Sequence, residues 1–306
     1  MSRSVGIVLL VAACGLNCLP GITLLAPPAW AIEPQTLHLH TRSRVPTKGT
    51  EANTKETVVE KTVAWEPTKT ALIICDMWDD HWCLGAAQRV TELAPSMNKM
   101  VYAARERGVF VIHAPSTCVD FYKDTPARRR AQAAPLAKPP MPLSQATRWG
   151  TRWCWPDPSR EPELPIDDSD MGCDCPTKCE IRSPWTRQIA TIDIADSDAI
   201  SDDGQEVYNL LQERGIDHVL IAGVHLNMCV LGRSFAIRQL VTLGLPVLLV
   251  RDMTDTMYNS RMKPFVNHFA GTDLVISHVE RHWCPSITSV DLLGGTPFRF
   301  REDERK

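Results

Sequence analysis

The chain has 306 residues, 44 % of them apolar, and a formal charge of -3, so it can bury one sizeable core and carries no excess of positive charge. That balance excludes charge-driven binding to nucleic acid or to an anionic membrane surface, and the short Arg128-Arg129-Arg130 run reads as a solvated helix face. One domain with insertions is the expectation.

In chain order, residues 1–31 read as an export signal: Arg3, an apolar run from Val5 to Ala13, and the small-residue site Ala29-Trp30-Ala31 before Ile32. The run is too short to span a bilayer, and nothing later is long and apolar enough to do so. A periplasmic or secreted chain is expected. Lipid anchoring at Cys14, after Val11-Ala12-Ala13, is the weaker alternative because the apolar character continues past it. Of eleven cysteines, Cys14 and Cys18 fall in this leader, which leaves nine for the mature chain. In an oxidising compartment most should pair as disulfides, and an odd number leaves a thiol free.

Residues 32–65 form a polar arm that adds an edge strand over Thr57 to Val63. From residue 66 to 285 the pattern is that of one α/β domain, followed by a tail, 286–306. Ala71-Leu72-Ile73-Ile74-Cys75 is a buried-strand run ending in Asp76. A helix over Ala94 to Arg107 stops at Gly108, and the strand Val109-Phe110-Val111-Ile112 ends at His113. The alternation then breaks over an insert, about 116–186, rich in Pro, Trp and Cys. Loops of this length are functional covers or flexible insertions, and Cys118, Cys154, Cys173, Cys175 and Cys179 suggest stapling by disulfides, with zinc at Cys173-x-Cys175-x-x-x-Cys179 as the weaker reading. Regularity returns at Ile189 to Ile194. A helix over Asp203 to Arg214 is capped by Asp202 with Gln205, and the run Val219 to Val224 is a strand. A helix continuing to Gly244, the strand Val247 to Val250 before Arg251-Asp252, a short helix near Pro264 to Phe269 and a last strand, Leu274 to Val279, complete the pattern. Strands alternating with helices imply a mostly parallel sheet covered on both faces.

The strand Val219 to Val224 leads through His225-Leu226-Asn227-Met228 to Cys229 at a helix start. A thiol there meets unpaired backbone N–H groups and the helix dipole, which favour thiolate. Asp76, His113, Cys229 and Asp252 all follow strands and so share one sheet edge, where such folds bind ligands. An aspartate and a cysteine so placed are a base and a nucleophile. His113 reads first as a hydrogen-bonded structural residue, Asp252 as a turn cap, and Asn227 as a backbone brace.

Thr70 to Asp76, the Gly223-Val224-His225-Leu226-Asn227-Met228-Cys229-Val230 turn with its helix, and Val247 to Asp252 resemble the isochorismatase-like cysteine hydrolases, which include nicotinamidases and carbamoyl-amide hydrolases. The resemblance covers roughly residues 66–115 and 187–280. It implies a three-layer α/β/α fold with a mostly parallel, about six-stranded sheet, a homo-oligomer, and an Asp, Lys and Cys triad. Carried over by position, Cys229 is the nucleophile and Asp76 the base. The N–H groups of His225 and Cys229 form the oxyanion hole, and Val224-His225 is a cis peptide. No lysine lies between Lys178 and Cys229, and Arg187 falls at the lysine's position, where its high pKa makes it a poor proton donor. Trp78, Asp80, His81 and Trp82 are expected to line a substrate pocket. No cofactor is required. The alternative is a divalent metal on Asp79 and His81, whose Asp-x-His spacing matches the family's ligand pair but lies closer to the catalytic aspartate. The expected activity is cleavage of a small amide or related C–N bond through a Cys229 thioester, on a small-molecule substrate. The altered triad leaves a secreted binding or scaffold protein as the alternative.

Overall fold

The computed structural model describes residues 36–46 and 56–305, so the expected leader with Cys14 lies outside the described residues. The polar arm is a hairpin, β1 (Leu37–Pro46) with β2 (Glu56–Trp65), paired in register from Leu37–Trp65 to Pro46–Glu56. β3 (Thr70–Cys75) follows, buried at every position. α1 (Leu84–Glu106) begins earlier than the apolar spacing indicated, tolerates Pro95 within its length, and leads to β4 (Phe110–Ala114). The insert carries α2 (Pro126–Ala133) and a two-residue ribbon, β5 (Thr147–Arg148) with β6 (Thr151–Arg152). After it come β7 (Ala199–Ile200), α3 (Gly204–Glu213), β8 (His218–Val224), α4 (Ile237–Thr242), β9 (Val247–Asp255), α5 (His268–His282), β10 (Ser286–Ile287) and α6 (Val290–Leu293).

The strand order is β2-β1-β10-β9-β8-β3-β4-β7. From β10 to β7 all neighbours are parallel, and the hairpin joins β10 antiparallel through Arg42 and Ser286. Alternation along β3 separates the two faces. Ala71, Ile73 and Cys75 pack with Val207, Leu210, Leu240 and Val275 of α3, α4 and α5, whereas Leu72 and Ile74 pack with Leu93, Met97 and Met100 of α1. The result is the expected three-layer α/β/α arrangement. Each fully buried Leu or Ile contributes roughly 2 kcal/mol of transfer free energy to these cores. From β3 the chain moves outward to β4 and β7, then returns to the other flank of β3 with β8. Strand order therefore reverses between β3 and β8, where such sheets bind ligands.

Several expectations are corrected. Leu274 to Val279 is not a strand but part of α5. Buried positions Gly271, Thr272, Val275, Ile276 and Val279 recur at helical spacing, and the Asn267 side chain caps the Ala270 N–H. The helix after Cys229 is broken into a π-type turn, Leu226–Val230, and the separate α4. The cap of α3 is Asp203, which accepts from Gln205 and Glu206 N–H, while Asp202 instead accepts from Thr117 N–H at 2.7 Å. The expected tail begins inside the fold, supplying β10 and α6. Disulfide stapling is also corrected: the nine cysteines from Cys75 to Cys284 are all free thiols. No helix among the described residues is long and apolar enough to cross a membrane.

Candidate active site

Asp76 follows the last residue of β3 in a left-handed conformation (φ 48°) that turns its carboxylate back into the switch point. Its Oδ1 accepts the Ser116 N–H at 2.7 Å, which locks it to the chain leaving β4. Next door, β8 approaches β3 so closely at Gly223 that a Cβ there would lie 2.0 Å from the Cys75 carbonyl oxygen, with φ at 110°. Only glycine fits that position. Thr254 clamps the Gly223 carbonyl from β9 at 2.7 Å, and Val224-His225 is cis, as the resemblance implies. The amides of Met228 and Val230 both donate to the His225 carbonyl, and the turn they close brings Cys229 beside Asp76. Asp76 and Cys229 are therefore neighbours, although they are distant in sequence.

The thiol is not held as thiolate. Burial pushes the Cys229 pKa well above the ordinary thiol range and the Asp76 charge adds to the effect, outweighing the pull of Arg233. The helix-start argument loses because Cys229 is only 3 % exposed, and burial of the charge outweighs the favourable neighbours.

Arg187 does not occupy the lysine's place. Its side chain is 44 % exposed, 3.9 Å from Asp79, and lies over the Phe121 ring away from the nucleophile. The cation in the site is Arg233, which sequence reasoning missed. Its N–H bonds back to the Cys229 carbonyl across one helical turn, and its side chain is nearly fully buried. Nε donates to Asp76 Oδ2 at 3.3 Å, while Nη1 donates to Thr151 Oγ1 and to the Arg148 carbonyl in the β5–β6 ribbon. Burial disfavours the charge, but Cys229 and Asp76 outweigh it and hold Arg233 fully protonated. The signal was present in the i,i+4 spacing from Cys229 to Arg233.

Above the thiol lies a cavity of about 510 Å³ whose wall includes Trp78, Trp82, Trp149, Trp185, Met228, His81 and His225. Trp78 and Trp185 stack with centroids 4.4 Å apart and planes 13° from parallel. Trp78 Nε1 donates to the Ser116 carbonyl, and Trp185 Nε1 to Thr117 Oγ1. The insert supplies Trp149, Gly150, Met171 and Trp185, so it is a cover of the site. Trp78, His81 and Trp82 line the cavity as expected. Asp80 does not: its Oδ1 accepts the following His81 N–H, which fixes the turn instead.

Burial pulls the His81 pKa down to about 4, so the ring is neutral near pH 7. Its Nδ1 accepts the Cys83 N–H, which leaves the proton on Nε2. His225, whose ring is 5.0 Å from that of His81, is also kept neutral by burial, and its Nε2 has no partner. A metal on Asp79 and His81 does not fit these residues. Both Asp79 oxygens are taken by Thr186 N–H, Thr186 Oγ1 and Arg187 N–H, and no third ligand joins the pair among the described residues.

His113 and Asp252 stand apart from the cavity. His113 bridges Gln188 and Asp198, while Asp252 accepts from Ser289 N–H, Ser289 Oγ and Phe298 N–H. Asn227 braces the turn, exchanging two hydrogen bonds with the Met257 backbone.

No protein-family model and no curated protein matches the chain. Among solved structures it is similar to a cysteine hydrolase from Pseudomonas syringae pv. phaseolicola 1448A, with 16 % identity, TM-score 0.46, and 76 % of this chain and 94 % of that one covered. It is also similar to an isochorismatase from Pseudomonas putida KT2440 (13 % identity, TM-score 0.44, 74 % and 91 % covered). The likeness is to isochorismatase-family proteins. A third such structure is a pyrazinamidase of Pyrococcus horikoshii in complex with zinc (15 % identity, TM-score 0.40, 72 % and 99 % covered).

Proposed function

We propose that the chain is an exported cysteine hydrolase that cleaves the amide, or a related C–N bond, of a small, flat, neutral molecule through a thioester at Cys229. The observation that carries this reading is the buried contact of Cys229, Asp76 and Arg233 at the floor of a tryptophan-walled cavity. Asp76 takes the thiol proton as sulfur attacks the carbonyl carbon, so the thiolate exists only as the new C–S bond forms. The oxyanion is received by the N–H groups of His225 and Cys229. Asp76 then gives the proton to the departing nitrogen as the C–N bond breaks. In the second half a water attacks the thioester, Asp76 accepts its proton, and Cys229 leaves as the thiol with release of a carboxylic acid. Arg233 moves no proton in this scheme. It compensates the Asp76 charge and holds the carboxylate against the thiol. The neutral His81 Nε2–H and the unpartnered His225 Nε2 offer a donor and a polar partner to the substrate, and the tryptophan faces select a planar ring.

Incubation with a panel of aromatic primary amides, reading ammonia release and the intact mass of the quenched protein, tests the proposal. The expected result is turnover by the natural chain, an acyl adduct on Cys229, and neither with Cys229→Ala. Turnover undiminished in Cys229→Ala would sink it, and a folded chain that binds these amides without turnover would favour the binding-protein reading. Export rests on residues 1–31 alone, and N-terminal sequencing of the mature chain, expected to begin at Ile32, tests it.

A further inference from the structure

The start of α1 carries a second cluster, on chemistry that the site above does not use. Cys83, at the N-cap of α1, meets Cys173 and Cys175 from the insert, and the three sulfurs lie within 4.8 Å of one another. Cys179 stands outside that group, lining the same surface cavity as Cys175, with its thiol 4.0 Å from the Thr177 carbonyl oxygen. The Cys83 and Cys175 sulfurs are 3.8 Å apart, the edge of a tetrahedron with metal–sulfur bonds of about 2.3 Å.

The start of α1 faces the cluster, and the Asp174 carboxylate lies against it, 4.0 Å from the Cys83 sulfur. The first turn of α1 reaches the cluster through Gly85, whose N–H donates to Cys175 at 3.3 Å. Cys173 receives the N–H groups of Cys175 and Cys179. The Gly85 N–H is an orphan donor at the positive end of a 23-residue helix. Between the ligand-bearing positions, Asp174 is fixed by Arg89 at 3.0 Å and His268 at 3.2 Å, which aims Cys173 and Cys175 at the helix. A Cβ at Gly85 would lie 2.9 Å from Asp174 Oδ1, so the close approach needs glycine.

We propose that Cys83, Cys173, Cys175 and Cys179 bind one zinc ion as a tetrahedral tetrathiolate that clamps the insert onto the start of α1. All four positions are filled by protein, so the ion is structural and takes no substrate. Binding releases the thiol protons to solvent and involves no oxidation. The clamp sits a few residues beyond His81 and Trp82, and so fixes the far end of the cavity wall.

The test is metal analysis of the full chain, purified without chelator, with thiol counting under denaturing conditions and intact mass. One zinc per chain, released when an organomercurial titrates four thiols, and lost in Cys175→Ser and Cys179→Ser, is the expected result. Cobalt substituted into the natural chain should show the intense red-region absorption of tetrahedral thiolate coordination, a readout that holds even where the variants fold poorly. A chain without bound metal whose mass and thiol count show the four cysteines as disulfides overturns the proposal, as does full zinc occupancy in Cys173→Ser/Cys179→Ser. Hydrolase activity is not read, so failure here leaves the Cys229 assignment standing.

Discussion

Arg233 places its Nε 3.3 Å from Oδ2 of Asp76 while its own N–H bonds to the Cys229 carbonyl, so one helical turn carries both the Cys229 thiol and the cation that neutralises Asp76. Removing the cation leaves a buried carboxylate unpaired. Arg233→Met should lower stability by about 3 kcal/mol in urea unfolding. It should also slow alkylation of Cys229 by iodoacetamide about tenfold, since the Asp76 charge is then uncompensated and disfavours thiolate further. Arg187→Ala should change both by little, within about 0.5 kcal/mol for stability. Equal effects of the two substitutions would contradict the assignment.

The pH dependence of that alkylation is itself diagnostic. Burial and Asp76 keep the Cys229 pKa above the ordinary thiol range, so the rate in the absence of substrate should still be rising with pH above 9. A rate already at its plateau at mildly acidic pH would mean a preformed thiolate and a different role for Asp76.

The tryptophan wall predicts a split between binding and turnover. Trp185→Ala removes the face stacked on Trp78, and should raise KM about fivefold for an aromatic amide with kcat within about threefold, as expected for a stacking contact of about 1 kcal/mol. Steady-state kinetics on the best amide of the panel provides the measurement.

At the other end of the insert, Glu161 receives Arg238, His278 Nε2 and Trp283 Nε1 in a buried network. Burial works to raise its pKa, but these hydrogen bonds outweigh it and hold the carboxylate at about 2. The folded value is below the unfolded 4.5, so this stabilisation is complete above that pH and is lost as the pH falls toward 2. Glu161→Gln should therefore cost about 3 kcal/mol at pH 7 and less in acid, checked by urea unfolding at both pH values.

The sheet and two of the three central site residues were legible because their signals are local. Apolar runs mark β3, β4, β8 and β9, and Asp76 and Cys229 stand at strand ends where chemistry gathers in parallel sheets. Arg233 was not, because the resemblance places its cation upstream of Cys229, whereas the cation that meets Asp76 stands four residues downstream of it. α5 was misread because Leu274 to Ile276 is a short apolar run that suits either helix or strand, and the buried Gly271 and Thr272 hide the helical period. The thiol cluster was half visible. Cys173, Cys175 and Cys179 are close in sequence, but Cys83 is separated from them by β4 and much of the insert, and only the fold brings it in.

The hairpin has a consequence for how the chain behaves in crowded solution. A parallel sheet that ended at the two-residue β10 would offer open backbone beside the largest strands, but β1 covers it and β2 becomes the rim, bearing Glu56, Glu60 and Lys61. The opposite rim, β7, is only two residues long. One border is charged and the other too brief to template an added strand, so the sheet resists edge-to-edge aggregation.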